Sequence, residues 1–168
     1  MKKTWYHSLQ RVMRPRSLVV GVGNRLRGDD AFGPAVLDAL RGHVHWPLLD
    51  AGDAPENCTG AVESVEPELV MLLDAAHWGA TPGSVGLFSF REIGWCGAST
   101  HSACLRLFCH LVAARCGCDV VLLAAQPERT DLGAPMSERV SRSVATVATR
   151  LSRLDEMLRA QEPRTAER

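Results

Sequence analysis

The chain has little aromatic content and no surplus of charge. Aromatic residues make up 5% of its 168 residues, with a single tyrosine, so any core is mainly aliphatic. Lysine plus arginine balances aspartate plus glutamate at 19 each. A chain without net charge has no global field to draw in a polyanion, which argues against a nucleic-acid binder. No apolar run reaches the ~18 residues of a membrane span, so membrane insertion is not expected. The N-terminus MKKTWYHSLQRVMRPR is basic but has no apolar h-region and does not read as a secretory signal. The expected location is cytoplasmic.

Several catalytic signatures are also missing. There is no G-x-S-x-G elbow and no H-E-x-x-H pair. The six cysteines include no C-x-x-C, and Cys116 and Cys118 form only a C-x-C. That spacing fits neither a zinc finger nor a redox motif, and the cysteines read as reduced thiols, several packed as small hydrophobes.

What the chain does have is alternation of apolar runs and amphipathic stretches. Ser17 to Val22 reads as a buried strand and Phe32 to Arg41 as a helix, with Pro34 near its start. His45 to Leu49 is a plausible second strand, and the polar segment Asp53 to Pro67 contains a short helix at most. Leu69 to Leu73 is continuously apolar, as in a strand covered on both faces. Ser84 to Phe90 reads as a strand, possible at an edge. His101 to Cys116 has helical spacing, Asp119 to Ala125 is a last strand, and Ser137 to Ala160 is a long amphipathic helix. The expected fold is α/β, a single domain with a mostly parallel twisted sheet of about five strands flanked by helices. Residues 1–16 read as a solvated basic arm, 17–160 as the domain and 161–168 as a polar tail.

The most informative segment is Gly21-Val22-Gly23-Asn24-Arg25-Leu26-Arg27-Gly28-Asp29-Asp30-Ala31-Phe32-Gly33. A dinucleotide fingerprint would need glycine at Leu26, and a phosphate loop would need lysine at Asp29. Two unit charges of like sign ~4 Å apart repel by about 4 kcal/mol at an effective dielectric near 20, so adjacent carboxylates disfavour a phosphate here. One aspartate is enough to cap the following helix, which leaves the second to explain. A carboxylate pair tolerates close approach when a cation bridges it or when one member holds a proton. Gly21, Gly23, Asn24, Gly28 and Asp29 shape the turn. Asp74, ending a strand, and His101, opening a helix, fall where α/β folds gather their ligands. Asp30, Asp74 and His101 form an O/N donor set suited to a divalent transition metal, without choosing which one. His77 could support that set from outside it, although an exposed loop histidine is the blander reading. His43, His45 and His110 read as structural. Asp50-Ala51-Gly52 only weakly resembles the aspartic-protease signature.

In order, the glycine loop, Asp74-Ala75 after a strand, Ser99-Thr100-His101 and Gln126-Pro127 resemble the hydrogenase maturation endopeptidases. The likeness runs from about Ser17 to Leu154. The segment from Asp50 to Gly60 is similar to the branch serving formate-hydrogenlyase-type hydrogenases. The resemblance implies a protease, grouped with aspartic-type endopeptidases, that removes a C-terminal peptide from the precursor of a nickel–iron hydrogenase large subunit. It implies that Asp30, Asp74 and His101 contact nickel carried by that precursor, with Asp30 and Asp74 as the catalytic candidates. It also favours a monomer. Ala31 stands where many members have glycine. The alternative is a nickel-binding or delivery protein that cleaves nothing.

Overall fold

A computed structural model describes residues 5–89, 91–92 and 102–161, with the side chains of 102–104 left aside. The chain begins with helix α1 (Trp5–Val12), enters strand β1 (Ser17–Val22), and passes through a 3-10 turn (Gly28–Ala31) into α2 (Phe32–Leu40). Strand β2 (Leu48–Gly52) follows, then a second 3-10 turn (Pro55–Cys58) and α3 (Thr59–Val65). The remainder is β3 (Leu69–Ala75), β4 (Val85–Ser89), α4 (Ser102–Cys116), β5 (Asp119–Ala125) and α5 (Glu138–Gln161). The five strands lie in the order β2-β1-β3-β5-β4, all parallel except β4, which runs antiparallel at one edge.

Strand side chains alternate between faces, and two separate cores result. Val19, Leu69, Met71, Leu73, Val121 and Leu123 pack on one face with α1, α2 and α5. Leu18, Val20, Val70, Leu72, Val120 and Leu122 pack on the other with α3 and α4. Covering both faces explains why β1 and β3 are buried at every position and read as unbroken apolar runs.

Two expectations need correction. Residues 5–13 are not a solvated arm. Leu9 and Met13 are buried in the core shared by α2 and α5, and Trp5 and Tyr6 pack beside them. Arg150 lies over both rings, 5.3 and 4.9 Å from their centroids. The basic residues had masked an apolar stripe at helical spacing. The second strand also starts three residues later than expected and extends to Gly52. Pro47 precedes it and offers only its carbonyl, to the Val19 N–H at 3.0 Å, because proline has no N–H for a ladder. His45 therefore sits before the strand, its Nδ1 3.0 Å from the buried Asp155 carboxylate, a structural tie between a loop and α5.

Four cysteines are described. Cys109 and Cys118 are buried, Cys58 and Cys116 half-buried, and all four are free thiols. Burial pushes Cys109 up to about 12 and Cys118 up to about 11, as expected of thiols that pack as hydrophobes. Cys96 and the Cys104 side chain fall outside the described residues.

Candidate active site

The site is built where β1 and β3 end. After Val22 the chain turns at Gly23, whose φ is +131°. A Cβ there would stand 1.9 Å from the Asp30 carbonyl oxygen, so only glycine lets the loop fold back on itself. The Gly23 N–H bonds the Gly52 carbonyl at 2.8 Å, tying the loop to the end of β2. Asn24 holds the next turn, its Oδ1 accepting the Leu26 N–H at 2.9 Å and its Nδ2 donating to Asp53 at 3.2 Å. Gly33 sits where a Cβ would meet the carbonyls of Leu73 and Val22 at 2.3 and 2.4 Å. Its missing side chain brings α2 against the sheet and sets Asp30 over the end of β3.

The adjacent aspartates have different roles. Neither caps α2, whose N-cap Ala31 makes no side-chain bond. Asp29 is fully buried and turns away, toward the loop that follows β5. It accepts the N–H groups of Glu128, Arg129 and Ser137 at 2.7, 3.1 and 2.6 Å, and the Ser137 hydroxyl at 3.0 Å. Ser137 in turn accepts the Val140 N–H at 3.3 Å, the geometry of a helix cap. Asp29 thus anchors the start of α5. The sequence gives no local signal for this, because the partners lie about a hundred residues away. Asp30 faces the site, nearly buried, with Oδ2 accepting the Asn24 N–H at 2.8 Å.

Asp74 is the penultimate residue of β3 and is almost wholly buried. Its Oδ1 takes the Ala75 N–H at 2.8 Å, while Oδ2 is buried with no partner. Burial foremost, and then the nearby Asp30 charge, push its carboxyl well above the usual carboxylate range, against a downward pull from the Ala75 N–H. An orphaned buried carboxylate oxygen is costly. It marks a place that a proton or a cation would complete. The structure therefore brings Asp30 and Asp74 together. His101 lies outside the described residues, immediately before α4. No group of three or more metal-binding side chains occurs among the described residues.

Gln126, at the end of β5 and part of the Gln126-Pro127 pair that carries the resemblance, is a positioning residue, a role the motif itself does not specify. Its Oε1 accepts the N–H groups of Trp78 and Ala80 at 3.0 and 3.2 Å, which orients the amide and aims Nε2 at His77 Nδ1, 3.0 Å away. His77 is exposed, and with Oε1 engaged it is the Gln126 amide N–H that faces its Nδ1. A buried polar residue closing an apolar strand was the available signal. On the other side of Asp30, an open groove of about 450 Å³ is lined by Gly23, Asn24, Arg25, Asp50, Gly52 and Asp53. Arg25 spans it, bonding Asp38 at 2.6 Å and Asp50 at 2.7 Å.

The model of the HycI hydrogenase maturation protease family matches residues 35–153. The chain belongs to the hydrogenase maturation protease family. It is a peptidase by that membership. The Hydrogenase 3 maturation protease of Escherichia coli K12 is 29% identical over 133 residues, covering 77% of this chain and 85% of that protein. Among solved structures, a [NiFe] hydrogenase maturation protease HycI from Thermococcus kodakarensis KOD1 superposes with a TM-score of 0.79 at 30% identity. That match covers 89% of this chain and 99% of the other. The solution structure of the endopeptidase HycI from Escherichia coli gives 0.74 at 27% identity, covering 83% and 90%. The matched residues include Asp74 and begin after Asp30. No helix among the described residues is long and apolar enough to cross a membrane.

Proposed function

We propose that this protease removes a C-terminal peptide from the nickel-loaded precursor of a nickel–iron hydrogenase large subunit, and that the substrate's nickel is what it recognises. The observation that carries this is the Asp74 carboxylate, buried beside Asp30 with an orphaned oxygen. Two carboxylates this close do not both hold a charge without a counterion. Nickel brought by the precursor supplies that counterion, and Asp30, Asp74 and His101 add oxygen and nitrogen donors to those the precursor provides. Burial and the nearby Asp30 charge favour the protonated form of Asp74, and metal binding competes with that proton. The precursor and the protease each carry an incomplete coordination sphere, so metal loading licenses cleavage.

Hydrolysis of the peptide bond then needs a polarised carbonyl and an activated water. Substrate nickel can serve the first role. Asp30, held by the Asn24 N–H, serves the second as general base. A processing assay tests the reading: Asp30→Asn, Asp74→Asn and His101→Ala each abolish cleavage of nickel-loaded precursor while leaving the protein folded. Normal cleavage by Asp74→Asn and His101→Ala would refute it. A nickel-delivery protein would instead bind the ion tightly without precursor and cleave nothing.

A further inference from the structure

Leu26 and Leu132 are the two most exposed large apolar side chains among the described residues, at 68% and 70%. Single exposed leucines are common and need no explanation. These two occupy neighbouring loops joined by backbone bonds. Gly133, which follows Leu132, donates its N–H to the Leu26 carbonyl at 2.7 Å, and Gly28 donates to Ala134 at 3.1 Å. Neither loop is slack. Asn24 fixes the Leu26 N–H, and Asp29 clamps the chain at Glu128, Arg129 and Ser137. The fold thus holds two apolar side chains in water on a hydrogen-bonded base, with Leu26 four residues before Asp30. Arg27 and Arg129 stand in the same two loops. Neither forms an ion pair among the described residues, whereas the nearby Arg25 and Arg139 do.

Resting on the processing function proposed above, we infer that Leu26 and Leu132, flanked by Arg27 and Arg129, form the docking platform for the hydrogenase large-subunit precursor. The occupant follows from position. A protein whose scissile bond reaches Asp30 must cover the surface around it, and stable interfaces cover about 800 Å² on each partner. The Leu26 loop carries Asp30, so it falls inside that footprint. Apolar side chains on a backbone fixed before binding spare the cost of ordering the loops on docking, which is the advantage of a preorganised surface. The arginines specify the complement: an apolar segment of the precursor with carboxylates beside it.

The test is steady-state processing of nickel-loaded precursor by the intact protein and by the double variant Leu26→Ser/Leu132→Ser. KM is expected to rise about tenfold, the scale of a lost interface anchor, with kcat and melting temperature unchanged. Leu26→Met/Leu132→Met, which keeps the apolar surface, is expected to retain the original KM. Arg27→Ser/Arg129→Ser is expected to flatten the dependence of KM on ionic strength. An unchanged KM in the serine variant, or a fall in kcat alone, would overturn the docking role while leaving the processing function standing. If the unaltered chain cleaves no nickel-loaded precursor, the processing function fails and the docking assignment fails with it.

Discussion

Ser137 donates its backbone N–H to Asp29 Oδ1 at 2.6 Å and its hydroxyl to Asp29 Oδ2 at 3.0 Å. This contact joins the loop after β1 to the first turn of α5 and fixes the backbone from which Asp30 projects. Asp29 is therefore a structural residue beside the candidate general base. Replacing it with alanine strands three backbone N–H groups that are now bonded to a carboxylate. Asp29→Ala is expected to cost about 3 kcal/mol or more, read from denaturant unfolding. A loss below about 1 kcal/mol would mean the clamp is not what holds the loop.

Asp74 leads to a prediction of opposite sign for stability. Its folded carboxyl binds a proton more tightly than its unfolded one, so its favourable contribution is complete at pH below the unfolded value. That contribution is lost as pH rises through the raised folded value. Asp74→Asn removes the charge and keeps the shape. The variant is expected to melt higher than the unaltered protein near pH 7, with the difference shrinking toward about pH 4. Processing is expected to disappear at every pH. A variant that melts lower near neutrality would contradict the assigned environment of Asp74. Such a conflict between stability and activity is characteristic of functional groups.

Gly23 and Gly42 both have positive φ, at +131° and +76°, yet they differ in surroundings. A Cβ on Gly23 would collide with the Asp30 carbonyl, whereas one on Gly42 meets nothing within 4 Å. Gly42→Ala is expected to lower stability by about 1 kcal/mol, from backbone strain alone, and to leave processing intact. Gly23→Ala is expected to lower stability and also reduce kcat/KM, because it displaces Asp30. Equal catalytic effects of the two substitutions would show that Asp30 placement does not depend on the turn.

The N-terminal helix yields a further expectation. Leu9 is fully buried between α2 and α5, so Leu9→Ala is expected to destabilise the protein by roughly 2–5 kcal/mol. A thermal or denaturant melt with no change would return residues 5–13 to the status of a dispensable arm.

The sequence made β1 and β5 legible to the residue, because both are apolar runs bounded by polar or turn-forming neighbours. The glycine loop was legible as a turn unsuited to phosphate, since two aspartates replace the expected lysine and hydroxyl, but the split between them was not: Asp30 faces the end of β3 while Asp29 clamps the loop after β5. Other features depended on distance in the chain. Nothing near Asp29 announces Ser137, and nothing near His77 announces Gln126, so those roles emerge only when β3 and β5 are paired. The α1 helix was hidden by composition: Arg11 within it and the basic residues that flank it in the sequence obscured the spacing of Trp5, Leu9 and Met13. Strand β2 starts at Leu48 rather than His45 because Pro47 has no N–H for the ladder, a constraint that the apolar pattern of His45 to Leu49 does not display.

The central claim is that the carboxylates of Asp30 and Asp74, with the His101 imidazole, read nickel on the substrate. The most direct test is to incubate the protease with one precursor in nickel-loaded and nickel-free forms and to follow release of the C-terminal peptide by mass spectrometry. The account predicts release from the loaded form alone, abolished by Asp74→Asn and by His101→Ala in proteins that still melt cooperatively. Release at the same rate from the nickel-free precursor would contradict it.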